Sequence, residues 1–113
     1  MYEVKGYVKQ VKMEAVIDAL ARLECVTGVA VVGLHQYGHA LPDGKLTRVD
    51  MVKIEVDVGS IEDADRAARC IVTEGRTGPG HAGDGRVMIT KILRAIRIDD
   101  GAEDSHAFAP RAP

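Results

Sequence analysis

Apolar and polar residues alternate along two segments of the chain, and each of these patterns predicts a β-strand. YEVKGYVK (2–9) places Val4 and Val8 on one face, and RVDMVKIEVDV (48–58) places valine or isoleucine at 52, 54, 56 and 58, with charged residues between them. VTGVAVVGLHQYG (26–38) is rich in β-branched residues and almost uncharged, which predicts a strand buried on both faces. RVMITKILRAIRI (86–98) predicts a long fourth strand.

Two further segments carry apolar residues at helical spacing. Residues 13–23 and 61–74 each have an apolar stripe on one side. Ser60 precedes Asp63 by three positions, which predicts a helix N-cap with an acidic first turn. The resulting order βαββαβ is that of the α+β, ferredoxin-like fold, an antiparallel sheet with two helices on one face.

Composition and charge narrow the classes of function. The chain has 113 residues and a formal net charge of −2, so it is expected to form one globular domain that is not basic enough for a nucleic-acid binder. No apolar run is long enough to insert into a membrane, and no signal peptide is recognised, so a cytoplasmic location is expected. Residues 1–98 are predicted to form the domain, and 99–113, acidic and then Ala/Pro-rich, a flexible tail.

The segment GRTGPGHAGDGR (75–86) holds five of the 12 glycines. It contains G-x-G-x-x-G, but it follows a predicted helix and precedes a strand, the reverse of a dinucleotide-binding fingerprint. Successive glycine N–H groups can form an anion-binding nest, and Arg76 and Arg86 flank it as bidentate donors for phosphate. A glycine-rich surface turn with two solvated arginines remains the alternative.

Other polar residues give no sign of catalysis or of a metal site. The four histidines, at 35, 39, 81 and 106, lack the spacing of metal ligands. Cys25 and Cys70 are isolated and are expected to be reduced thiols. We therefore predict no metal, no cofactor and no catalytic residue.

Five segments, in order along most of the chain, point to one known family. They are VKGYVKQVKMEAVIDAL, TGVAVVGLHQYG (27–38), VKIEV (52–56), TGPGHAGDGRV (77–87) and RAIRI (94–98). Together they resemble the PII signalling family: its first strand and helix entry, its second strand, the return from its signalling loop, its phosphate loop and its last core strand.

The resemblance implies a regulatory homotrimer, not an enzyme, that binds ADP, AMP or ATP in clefts between subunits and acts on an unidentified transporter or enzyme. Arg86 would contact phosphate where the family usually has lysine, and Arg97 would reach phosphate from the last strand. The nucleotide-binding residues implied by the resemblance are Tyr37, Gly38, His39, Lys53, Glu55, Arg76, Thr77, Gly83, Asp84, Gly85, Arg86 and Arg97.

The sequence also departs from the family pattern. The signalling loop is reduced to HALPDGKLT and lacks its tyrosine, and His39 and Asp99 stand where the family has arginines. Fewer cations favour AMP or ADP over ATP. Because relatives with shortened loops are associated with inorganic-carbon uptake or carboxysomes, bicarbonate is expected as a further ligand near Gly38. Two alternatives stay open: a nitrogen regulator that responds to ATP and 2-oxoglutarate, and a slow phosphohydrolase that uses Asp84 and a metal.

Overall fold

A computed structural model describes residues 1–39 and 44–110, with only the backbone at His39. The elements follow the predicted order, with two short 3₁₀ helices added. They are β1 (Tyr2–Lys9), a 3₁₀ turn (Gln10–Lys12), α1 (Met13–Ala21), β2 (Ala30–His39), β3 (Leu46–Val58), α2 (Ile61–Gly75), β4 (Gly85–Lys91) and a C-terminal 3₁₀ helix (Asp104–Phe108).

The four strands form one antiparallel sheet in the order β2-β3-β1-β4. Val8 of β1 pairs with Val52 of β3 on one side and with Gly85 of β4 on the other. Gly33 of β2 pairs with Val52 and completes this row across the sheet. The ferredoxin-like α+β fold predicted from the sequence is confirmed.

The two helices cover one face of the sheet and form the core with it. The buried apolar residues that they share are Val4, Val8, Val16, Leu20, Val52, Ile54, Val56, Val58, Ala64, Ala67 and Ile71. Gly6 allows α2 to approach β1, because a Cβ at this position would lie 2.7 Å from Cγ2 of Ile71. Ser60 caps α2 as predicted: its Oγ accepts the N–H of Asp63 at 3.2 Å, which contributes about 1 kcal/mol.

Strand β2 differs from its prediction. It begins at Ala30 and lies at the edge of the sheet, beside β3 alone. In the single chain Val32 is 51% exposed, so the prediction of a strand buried on both faces is wrong for one copy. The reason is that α2 packs mainly over β1 and β4, which leaves β2, at the other edge of the sheet, uncovered.

Beyond the row of Gly33 and Val52, β2 and β3 continue to pair with each other. We call this part the arm, and it is formed by residues 33–39 and 46–52. The side chains at 35–38 and 46–50 of this arm are exposed. The shortened loop HALPDGKLT falls partly outside the described residues, which exclude 40–43.

Strand β4 is shorter than predicted. It ends at Lys91, opposite Tyr2, and the N–H of Ile92 makes a last bond to the carbonyl of Met1. Residues 94–98, expected to be the last core strand, lie outside β4. Ile96 makes an isolated bridge with Glu103, and Ile98 is fully exposed.

The described part of the C-terminal segment is folded back on the sheet. The 3₁₀ helix Asp104–Phe108 lies against the end of β3, and Thr27 donates its hydroxyl to the carbonyl of Phe108 at 3.3 Å. The division into a domain at 1–98 and a flexible tail at 99–113 stays a prediction. No helix among the described residues is long and apolar enough to cross a membrane.

Candidate anion-binding site

The glycine-rich loop between α2 and β4 is organised around a carboxylate of its own. Oδ2 of Asp84 accepts the backbone N–H of Thr77 at 3.0 Å and of His81 at 2.8 Å. The ammonium group of Lys9 lies 3.3 Å from Oδ1 of the same side chain. Two backbone N–H groups of the loop are therefore already used within the chain.

These contacts fix the charge of Asp84. The N–H and hydroxyl of Thr77, followed by the N–H of His81 and by Lys9, hold the pKa of this carboxyl well below its usual range. A carboxylate that weakly basic is a poor general base. Among the described residues no group of histidine, cysteine, aspartate or glutamate is placed to hold a metal ion. The contacts of Asp84 therefore hold the loop together.

Gly83 and Gly85 are required by the backbone conformation of the loop. Their φ angles are +93° and +112°, in the region that favours glycine. At Gly85 a Cβ would overlap the backbone carbonyl of Tyr7. Glycine at position 85 therefore allows the start of β4 to approach the backbone of β1 closely.

A cleft of about 190 Å³ lies beside this loop, between the end of α2 and the start of β4. Arg76 and Arg86 both line it, and Val8 and Ile71 supply apolar surface. The guanidinium carbon of Arg86 is 5.8 Å from the centroid of the Tyr7 ring. Two arginines that line one small cleft suit an anion with several oxygens.

Lys53 and Glu55 lie on the sheet face opposite the helices. Lys53 pairs with Tyr7, which pairs in turn with Arg86, so these three residues form a row across β3, β1 and β4. Nζ of Lys53 is 3.0 Å from Oε1 of Glu55, and this hydrogen bond raises the pKa of Lys53.

Tyr37 and Gly38 belong to the arm, opposite Arg48 and Thr47. They lie about 13 Å or more beyond the row of Gly33, at 3.3 Å per strand residue, and at the same end of the sheet as the glycine loop. The Tyr37 side chain is exposed, and the side chain of His39 falls outside the described residues.

Arg97 is not brought to the glycine loop within one chain. It follows the Lys91 end of β4, whereas the loop joins the Gly85 end, about 20 Å away along the strand. It lies beside a turn, not in the predicted strand, and donates from Nε and Nη2 to the two carboxylate oxygens of Asp100 at 3.0 and 2.7 Å.

Two residues of this site were not predicted. Lys9 pairs with Asp84, and Tyr7 lies beneath Arg86. The alternation of β1 places Tyr7 and Lys9 on the sheet face opposite Val8. Which residues of β4 lie beside them depends on the register between β1 and β4, and the sequence does not specify that register.

Comparison with known proteins agrees with this fold. No protein-family model matches the chain. Nitrogen regulatory protein P-II 1 of Escherichia coli (strain K12) is 32% identical over 117 residues, covering 96% of this chain and 100% of the relative. Nitrogen regulatory protein P-II of Rhizobium etli is 30% identical over 113 residues, covering 93% and 97%. A solved structure of the B. subtilis GlnK–ATP complex matches with a TM-score of 0.78 over 94% of this chain and 95% of that one, and its 23% identity supports the fold alone.

The sheet, its two helices and these relatives define a regulatory signalling protein, not an enzyme. The chain belongs to the nitrogen regulatory protein P-II family. The family resemblance read from the sequence is thereby confirmed.

Proposed function

We propose that this protein is a PII-like regulator that binds adenine nucleotides, with the phosphates beside the glycine-rich loop. The observation that carries the proposal is the position of Arg76 and Arg86 at one small cleft next to that loop. The name of the GlnK–ATP complex, a structure with the same fold, supports an adenine nucleotide as the ligand. Lys53, Glu55, Gly83 and Gly85 complete the proposed site around Thr77 and Asp84.

The site is proposed to be shared between copies in a homotrimer. Arg97 is at the far end of β4 from the loop, so it can reach the same phosphates only from a neighbouring copy. Leu93 is 89% exposed, Ile98 is fully exposed, and Val32 lies on an uncovered edge strand. Apolar surface of this kind is typical of an interface.

The arm is proposed to hold the second ligand and to contact the target, a transporter or enzyme. Tyr37, Gly38 and His39 lie at its outer end, and the connection at 40–45 is short for the family's signalling loop. With Asp99 and His39 in place of two cations, ADP and AMP are expected to bind at least as tightly as ATP. Bicarbonate near Gly38 would make the protein a sensor of energy and inorganic carbon, as in carboxysome-associated relatives.

Calorimetry with ADP, with and without bicarbonate at fixed pH and ionic strength, tests this function. Linkage requires bicarbonate and ADP to tighten each other's binding by the same factor. Equal ADP affinities would reject bicarbonate sensing and leave an adenylate sensor. Tight ATP binding strengthened by 2-oxoglutarate would instead support a nitrogen regulator, the function that the names of the relatives favour.

Sedimentation tests the trimer separately. The wild-type chain should sediment at about three times the 12.1 kDa of one copy. Ile98→Ser should weaken assembly if a neighbouring copy buries Ile98. The control is Ile61→Ser, at an exposed isoleucine of α2, which should leave assembly unchanged. A monomer at micromolar concentration would reject the shared site.

A further inference from the structure

Arg97, the cation that the proposed function assigns to phosphate, is held by a carboxylate of its own chain. Its Nε and Nη2 donate to Oδ1 and Oδ2 of Asp100, and the carboxylate of Asp99 lies 3.7 Å from Nε. Paired N–H donors facing two oxygens form the arrangement by which arginine also binds phosphate. Asp100 therefore occupies the edge of Arg97 that a phosphate would use.

The position of Asp100 is fixed by the turn that carries it. The N–H of Arg97 donates to the carbonyl of Ala102, and the N–H of Gly101 donates back to the carbonyl of Arg97, each at 2.8 Å. Oδ1 of Asp100 also accepts the N–H of Ala102 at 3.0 Å. Because the backbone holds the carboxylate in place, little side-chain entropy is lost when it pairs with Arg97.

The other edge of the guanidinium group anchors the C-terminal segment. Nη1 of Arg97 donates to the carbonyl of Ala109 at 3.4 Å, next to Phe108, whose carbonyl accepts the hydroxyl of Thr27. Arg97 therefore links the turn, the C-terminal segment and, through Phe108, the segment that precedes β2.

We propose that Asp100 competes with the phosphate of the ligand for Arg97, so that nucleotide binding exchanges this ion pair and loosens the C-terminal segment 104–109. The inference rests on the proposed function and assigns a regulatory role to a residue outside the predicted site. Competition of this kind lowers affinity and makes the segment a reporter of occupancy. By linkage, a change that weakens the ion pair between Arg97 and Asp100 strengthens nucleotide binding to the same extent.

Calorimetry of ADP with the full-length chain tests the exchange. Asp100→Asn keeps an acceptor for Ala102 and removes the charge, and it should lower the Kd for ADP about three- to fivefold, as expected for a partly exposed ion pair. Glu103→Gln is the matched control, because Glu103 lies in the same segment and pairs with the exposed Arg94 at 3.4 Å. It should leave the Kd within about twofold of wild type.

Hydrogen–deuterium exchange gives the second readout. ADP should speed exchange of amides at 104–109 in the wild type, and Asp100→Asn should show faster exchange there before ADP is added. Asp100→Ser serves as a second variant, with folding checked by circular dichroism. If both Asp100 variants bind ADP as the wild type does, or if ADP slows exchange at 104–109, the competition is rejected.

Failure of the proposed nucleotide binding would give a different result from failure of the competition by Asp100. A wild-type protein that binds no adenine nucleotide would reject both proposals. ADP binding that is weakened by Arg86→Ala but unaffected by Asp100→Asn would reject only the competition.

Discussion

The guanidinium group of Arg86 lies over the ring of Tyr7, 5.8 Å from its centroid, and the two residues are paired across β4 and β1. At an exposed site such a contact contributes about 0.5–1 kcal/mol. The ring therefore helps to hold the cation over the sheet, and both residues also line the cleft together with Arg76.

Removal of Arg86 should weaken nucleotide binding. Arg86→Ala deletes a charged donor to phosphate, and we expect ADP to lose about 1.5–3 kcal/mol of binding free energy, measured by calorimetry. Arg66→Ala is the control, because Arg66 is an exposed cation on α2 that pairs with Asp63. Equal losses for the two variants, or no loss at Arg86, would place the phosphates elsewhere.

Asp84 should stabilise the fold in a pH-dependent way. Its folded-state pKa is depressed, so its contribution is complete above the unfolded pKa of about 3.9 and is lost as the pH falls through the folded value. Asp84→Asn should therefore be less stable than wild type at pH 7 in urea unfolding, and this difference should narrow between about pH 4 and 3. Asp65→Asn, at an exposed position of α2, provides the control. A difference that is constant from pH 7 to 3 would contradict the internal role of the Asp84 carboxylate.

The sequence predicted the elements well where periodicity reflects burial. The alternation of β3 and the stripe of α2 match the structure because the same positions, such as Ile54 and Ile71, are buried between sheet and helices. The prediction that β2 is buried on both faces was wrong because an uncharged strand can be covered by a helix or left at an edge, and composition does not distinguish these two arrangements. The prediction of a strand at 94–98 was wrong for a similar reason, because apolar composition does not reveal the turn in which the N–H of Arg97 donates to the carbonyl of Ala102.

The candidate site was predicted in part. Glycines and flanking arginines located the loop, but the residue types could not reveal that Asp84 takes up the N–H groups of Thr77 and His81. Likewise, nothing in the spacing of Arg97 and Asp100 distinguishes a free cation from one held in a bidentate pair. Such contacts depend on loop conformation, which local sequence specifies less strongly than strand or helix.

Gly85 should be the least replaceable glycine of the loop. Gly85→Ala would place a methyl group onto the carbonyl of Tyr7 at a φ of +112°, so we expect a loss of at least about 1–3 kcal/mol in the free energy of unfolding. Gly59→Ala is the control, since its nearest neighbour would be Cβ of Ser105 at an ordinary 4.0 Å. Equal stability of the two variants in urea unfolding would show that the start of β4 can shift without cost.

Asp57 should destabilise the fold as it ionises. Its pKa is raised first by desolvation and then by Glu3, opposite it on β1, and by Glu55, while Lys5 opposes the shift. Its Oδ1 is buried without a hydrogen-bond partner among the described residues.

The sign of the effect follows from that direction. A folded-state pKa above the unfolded value of about 3.9 means that the folded protein binds the proton more tightly, so stability falls as the pH rises through the folded pKa. Asp57→Asn removes this ionisation and should be more stable than wild type at pH 7 in urea unfolding, with a difference that shrinks toward pH 4. Asp18→Asn, at an exposed position of α1, should show no such trend. An Asp57 variant whose advantage is absent at pH 7, or grows toward acid, would mean that this carboxylate is compensated in the folded protein.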